Sequence, residues 1–171
     1  MHVNRRQFAA MTGVGILASL ASGCHGPSGE SKSAARGSGP AVEELEDVLG
    51  EPVLDLRGLD SPVVIDSIRL LKKGREHFVH VRSKDGAEGV SVTNSRANYL
   101  YPILNQRVIP YFRGKDARDL EAHLFGVYRH ASNYKLQRLA LWCPVAWVEF
   151  AILDMLGRVA GKSIGELFGG V

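Results

Sequence analysis

Apolar residues recur at Val145, Val148, Ile152, Met155 and Val159, at intervals of three and four, which is one stripe of an amphipathic helix. Pro144, preceded by Cys143, fits the first turn of that helix. A short turn over residues 163–168 follows and closes on Gly169-Gly170. A stripe this apolar must be covered, and the expectation from sequence is that its cover lies outside the chain.

Upstream the period is two. Val63, Ile65, Ser67 and Arg69 alternate with Val64, Asp66, Ile68 and Leu70, a strand of mixed burial. Lys72-Lys73-Gly74-Arg75 supplies a turn, and Phe78, His80 and Arg82 alternate with His77, Val79 and Val81 in a second strand. Lys84-Asp85-Gly86 reads as a hairpin turn before a third strand over residues 88–93. After Thr93 the spacing turns helical. Leu100, Ile103, Leu104 and Val108 predict a helix over residues 98–108, with Pro102 in its first turn or kinking it. Asp116 is a candidate N-cap for a helix over residues 117–131, with Leu120, Leu124, Val127 and Ala131 inward and Arg118, Glu121 and Arg129 facing water. Strands followed by helices describe an α+β domain: a three-stranded antiparallel meander, then a helical bundle.

Composition divides the rest. Arg5-Arg6 stands ahead of an uncharged run over residues 8–23 rich in Ala, Gly, Leu and Ser, the pattern of a twin-arginine export signal. The run is too short and too rich in small residues to span a membrane. It ends Leu20-Ala21-Ser22-Gly23-Cys24, which leaves two readings: a lipid on Cys24 that tethers the protein to a membrane, or cleavage nearby with Cys24 a spare thiol. The domain plan is therefore an export signal over 1–24, a flexible tether over 25–61 dense in Gly, Ser and Pro, a meander with helices over 62–143, and a final helix over 144–171. Within the tether a short helix over residues 42–49 is compatible with the pattern, and order is expected from Pro62. Localisation is expected to be exported, either periplasmic or lipid-anchored.

The chain carries 21 basic and 18 acidic residues, net +3. Setting aside Arg5 and Arg6 leaves 19 basic against 18 acidic, so the body is nearly neutral and lacks the one-sided field that nucleic acid needs. Two cysteines, Cys24 and Cys143, make no disulfide framework, and Cys143 reads as a small buried residue at a helix entrance. His77, His80, His123 and His130 are scattered without ligand spacing.

The turn Lys84-Asp85-Gly86, then Gly89, then helices joined through Phe112-Arg113-Gly114-Lys115-Asp116, resemble the N-terminal capping domain of the enolase superfamily, in its mandelate racemase/muconate lactonizing enzyme branch. The tail carries the most specific likeness: Glu149, Ala151, Asp154, Gly157-Arg158, Gly161 and Glu166-Leu167-Phe168-Gly169-Gly170. It covers roughly residues 63–170. The resemblance implies an enzyme that removes a proton next to a carboxylate while a divalent metal, usually Mg2+, stabilises the enediolate. It also implies that the metal ligands and bases sit on a TIM barrel absent from this chain, because such a barrel needs about 250 residues. No catalytic or metal-binding residue is therefore assigned here, and no cofactor is expected in the chain itself. The missing or separate barrel is the expected partner, with a homo-oligomer as another.

The resemblance points to one substrate-covering loop, Thr93, Asn94, Ser95 and Arg96. Where the family often has Gly-x-Gly-Glu-Ala, this chain has Gly89-Val90-Ser91-Val92-Thr93. For Asn94 and Ser95, turn or capping chemistry competes with substrate contact. The other covering loop, near residues 72–76, is short for a lid. Gly157 and Gly161 read as a smooth packing face, Asp154 and Arg158 as an intrahelical pair, and Glu149 as a carboxylate satisfied by a second domain. The leading expectation is an inactive cap of an exported racemase- or cycloisomerase-like enzyme. The alternative is a non-catalytic secreted or lipid-anchored binding module.

Overall fold

The computed structural model describes residues 42–170. The export signal with Arg5 and Arg6, the lipidation candidate Cys24 and the tether as far as residue 41 lie outside the described residues. Two compact units are present, Met1–Pro52 and Val53–Val171. Of the first, the structure describes one helix, α1 (Val42–Gly50), with Val42 and Leu49 exposed.

The second unit is an α+β domain built on one antiparallel sheet in the order β1-β2-β3: Ile65–Lys73, Glu76–Ser83 and Glu88–Val92. Lys73 pairs with Glu76, so Lys72 and Lys73 belong to the strand and only Gly74-Arg75 turns. Gly74 takes the positive φ of +63° that a two-residue hairpin turn asks for. The second hairpin turns at Gly86, φ +90°, as the sequence pattern predicts. Alternation buries Val79 and Val81 of β2. In β1 the register slips between Ile65 and Ser67, and this bulge lets Ile65 and Ile68, an odd number of residues apart, face one core.

Helix α5 (Leu139–Ala160) covers the inward face of the sheet. Val145, Val148, Ile152 and Met155 are all buried by their own chain, so the partner that the sequence pattern left missing is the sheet and the helices beside it. Only Val159 of the stripe is exposed. The helix also starts at Leu139, ahead of Pro144, which sits in its interior. Pro144 removes one backbone bond, and the burial of Leu141, Pro144 and Val145 in the same two turns offsets that loss.

Between sheet and α5 runs an irregular helical stretch. Helix α2 (Ala97–Ile103) contains Pro102, passes into a π turn (Leu104–Val108) and resumes as α3 (Ile109–Phe112). The Ile109 N–H donates five residues back to the Leu104 carbonyl, immediately before Pro110, which has no N–H to keep the α register. The helix thus extends past the expected end at Val108. A 3-10 turn (Ala117–Asp119) then leads into α4 (Leu120–Arg129). Asp116 caps this entry by accepting from the Arg118 N–H. Ala131 does not continue the helix; it is exposed at φ +48° in a 3-10 segment (His130–Lys135).

Residues 53–61 are not tether. Leu59 is buried, the Asp55 N–H donates to the Leu167 carbonyl at 2.7 Å, and Lys162 Nζ lies 2.8 Å from Asp55 Oδ2. This strap joins the start of the domain to α6 (Ile164–Leu167), whose Ser163 and Glu166 form a reciprocal capping box. Ile152→Ala and Met155→Ala should each cost about 2–5 kcal/mol in urea unfolding, the usual range for a large core side chain. Near-zero losses would mean that the stripe is wet.

Candidate functional site

Loop 93–96 leaves β3 at the end of the sheet that also carries the Gly74-Arg75 turn. Its own backbone uses most of its polar atoms. Thr93 donates from both N–H and Oγ1 to the His77 carbonyl, at 2.9 and 3.1 Å. Asn94 Oδ1 accepts from the Arg96 N–H at 3.1 Å, an Asx turn, and the Ser95 carbonyl accepts from Asn98 Nδ2. Turn chemistry therefore accounts for Asn94 Oδ1 and the Ser95 carbonyl, while the Asn94 and Ser95 side chains remain exposed. The β1–β2 connection, at two residues, has no length to act as a lid.

What sequence reasoning missed is beside this loop. Val92, Thr93 and Asn94 form one wall of an open groove of about 360 Å³, and Leu139, Trp142 and Phe150 of α5 form the other. These α5 residues belong to a second stripe, Leu139, Trp142, Ala146, Phe150, spaced three, four and four. A helix assumed to begin at Pro144 hides half of it. Trp142 stacks on Tyr128 of α4, ring centres 5.7 Å apart and planes 15° apart. Cys143 is half-buried in the same wall, in the second turn of α5.

The charged groups elsewhere are structural. Asp116 and Arg118 form a paired fork, Nη2 to Oδ2 at 2.7 Å, and Arg118 Nη1 reaches the Leu59 carbonyl, so Arg118 is held against the domain and does not face water. Burial pushes the Asp116 carboxyl up, but Arg118 and the Val63 and Arg118 N–H groups outweigh it and hold the carboxyl below its ordinary value. His123 Nε2 lies 2.8 Å from the Asp116 carbonyl, and burial lowers its pKa. Asp154 and Arg158 pair along α5 at 3.0 Å, and Asp154 Oδ2 also accepts from the Val90 N–H at 2.9 Å. Gly157 is a packing glycine: a Cβ there would stand 2.6 Å from the Lys162 carbonyl. Gly161 is not; it is the left-handed cap of α5 at φ +66°.

Glu149 is half-buried, and desolvation raises its pKa. No hydrogen bond or ion pair reaches it among the described residues. Among the described residues no group of three His, Cys, Asp or Glu side chains could hold a metal ion. His77, His80, His123 and His130 do not converge on one, so this part of the chain does not fit a Mg2+ site and no step is derived through one.

The model of one family, the mandelate racemase / muconate lactonizing enzyme N-terminal domain, matches residues 54–169. The chain belongs to that family. Its second unit is the family's N-terminal domain, with the meander and following helices in place. No curated protein matches. Among solved structures, a protein assigned as a racemase from Roseobacter denitrificans is 28% identical with a TM-score of 0.57, covering 63% of this chain and 29% of that one. A muconate cycloisomerase from Azorhizobium caulinodans is 20% identical with a TM-score of 0.54, covering 65% and 32%, and shows the shared fold. A third, from Paracoccus denitrificans PD1222, is 17% identical with a TM-score of 0.55, covers 63% and 31%, and was solved complexed with magnesium. The chain spans about a third of the length of the structures it matches.

The raised pKa of Glu149 fixes the sign of a test. A carboxyl raised above its unfolded value of 4.5 leaves stability fully present below that value, and the stability is lost as pH rises through the folded value. Glu149→Gln should therefore melt higher than wild type at pH 7–8, and the gap should close by about pH 4. A gap that stayed constant across this range would mean that the carboxyl is fully solvated.

Proposed function

We propose that this chain provides the cap of an exported enzyme that removes a proton next to a substrate carboxylate with the help of Mg2+. The observation that carries the reading is the family match across residues 54–169. The racemase-assigned relative and the cycloisomerase support it at the level of reaction class. The described residues contribute shape. Loop 93–96 and the groove beside it offer an apolar wall with Thr93 and Asn94 at its rim, which suits covering a substrate and excluding water more than moving a proton. Proton abstraction and metal binding are assigned to the remainder of the family's fold, whether it continues this polypeptide or is a separate one.

Incubating the purified chain with Mg2+ and α-hydroxy or muconate-type carboxylates in deuterated water tests this directly. No exchange of the α-proton above background is expected by NMR. Exchange by the chain alone would defeat the reading.

Export is part of the proposal and rests on Arg5-Arg6 ahead of the uncharged run. Replacing both with Lys should hold the protein in the cytoplasm in cell fractionation. Retained export would remove the twin-arginine reading. Metabolic labelling with a fatty acid decides Cys24: incorporation lost in Cys24→Ala means a lipid anchor, and none means a periplasmic product.

A further inference from the structure

The second stripe of α5 is an unusual surface for a domain this small. Val92, Leu139, Trp142 and Phe150 are 66%, 55%, 41% and 55% exposed, and they line one continuous groove. Single exposed apolar residues are common, but a cluster with two large aromatics marks a contact surface. Trp142 is already held by its stack on Tyr128, so a partner would order little on binding it. Glu149 stands three residues from Ala146 and seven from Trp142, on the flank of the same stripe, without a partner among the described residues.

We infer that this groove is the seat of the remainder of the family's fold, which meets it with an apolar ridge and a basic side chain opposite Glu149. This rests on the cap reading above and adds the face and the chemistry of the contact. Two observations choose the occupant. The chain covers 29% and 32% of the lengths of the racemase-assigned and cycloisomerase structures, so most of the shared architecture lies beyond the matched domain. The unpaired half-buried carboxylate asks for a cation. A second copy of this chain fits less well, because a two-fold contact centred on the stripe brings Glu149 towards its own equivalent.

The test mixes the full chain with the Roseobacter denitrificans relative from which its own matched cap region has been deleted, and reads complex formation by analytical ultracentrifugation. Phe150→Asp, Leu139→Asp and Glu149→Lys probe the groove, and Val159→Lys, at the far end of α5, is the control. The expected result is a one-to-one complex weakened at least tenfold by each groove variant and unchanged by the control. Melting of Phe150→Asp and Leu139→Asp should stay at the wild-type value. A complex indifferent to those substitutions would overturn the groove assignment and leave the cap reading standing. No complex would overturn the inference, and a homodimer abolished by Phe150→Asp would make the second copy the occupant. Unfolding of both aspartate variants would show that the face is internal, which also overturns it. Proton exchange by the chain alone defeats the cap reading whatever the ultracentrifuge reports.

Discussion

The closest approach in the domain is between β3 and α5, at Gly89. A Cβ on Gly89 would stand 2.1 Å from the Ala151 carbonyl and 2.5 Å from the Met155 nitrogen, so only glycine lets the helix lie this low on the strand. That contact sets the register of everything beside it. Ser91 Oγ donates to the Trp147 carbonyl one step along, and Asp154 caps the Val90 N–H on the free edge of β3. The edge is thereby closed to a further strand at that point. Because β3 and α5 run in opposite directions, the same register puts the first turns of α5 beside loop 93–96. The groove is a consequence of Gly89.

Sequence pattern located the meander and the helices well, since each strand declares its period over a few residues and Gly86 declares its turn. It did worse wherever the answer depended on a distant residue. The bulge after Ile65 is set by pairing with β2 and by the bonds between Ile65 and residues 114–115, neither of which the strand's own alternation records. The strap over 53–61 has the look of a linker because Gly58, Asp55 and Asp60 are turn residues; its order comes from Lys162, Leu167 and Arg118, far along the chain. The stripe Val145 to Met155 announced that it would be buried but not by what. Reading Pro144 as a first-turn residue shortened α5 by five residues, and with them went Leu139 and Trp142 from any candidate surface. The loop 93–96, carried by resemblance alone, proved to be adjacent to that surface.

The polar groups divide by partner. Asp55 is held well below the usual carboxylate range, first by Arg57 and then by Lys162, and with the Asp55 N–H on Leu167 it pins the beginning of the domain to its end. The Asp116–Arg118 fork pins the strap to the entrance of α4. Both are satisfied locally, and neither aims an atom into the groove. Such pairs stabilise little where they are exposed, and their effect is to fix geometry. Glu149 differs: burial raises its pKa and nothing nearby answers it.

Helix α5 therefore performs two tasks on two faces. By length and composition it is apolar enough to cross a membrane, yet its stripe from Val145 to Met155 is committed to the sheet and holds the domain together. The opposite stripe contributes nothing to that core, so Leu139, Trp142 and Phe150 are free to be selected for contact without loss of stability. A helix that were merely structural would carry charge there, as α4 does at Glu121 and Arg129. An apolar second face on a helix whose first face is already satisfied costs solubility for no gain within the domain. It makes physical sense only if another surface covers it while the domain is at work.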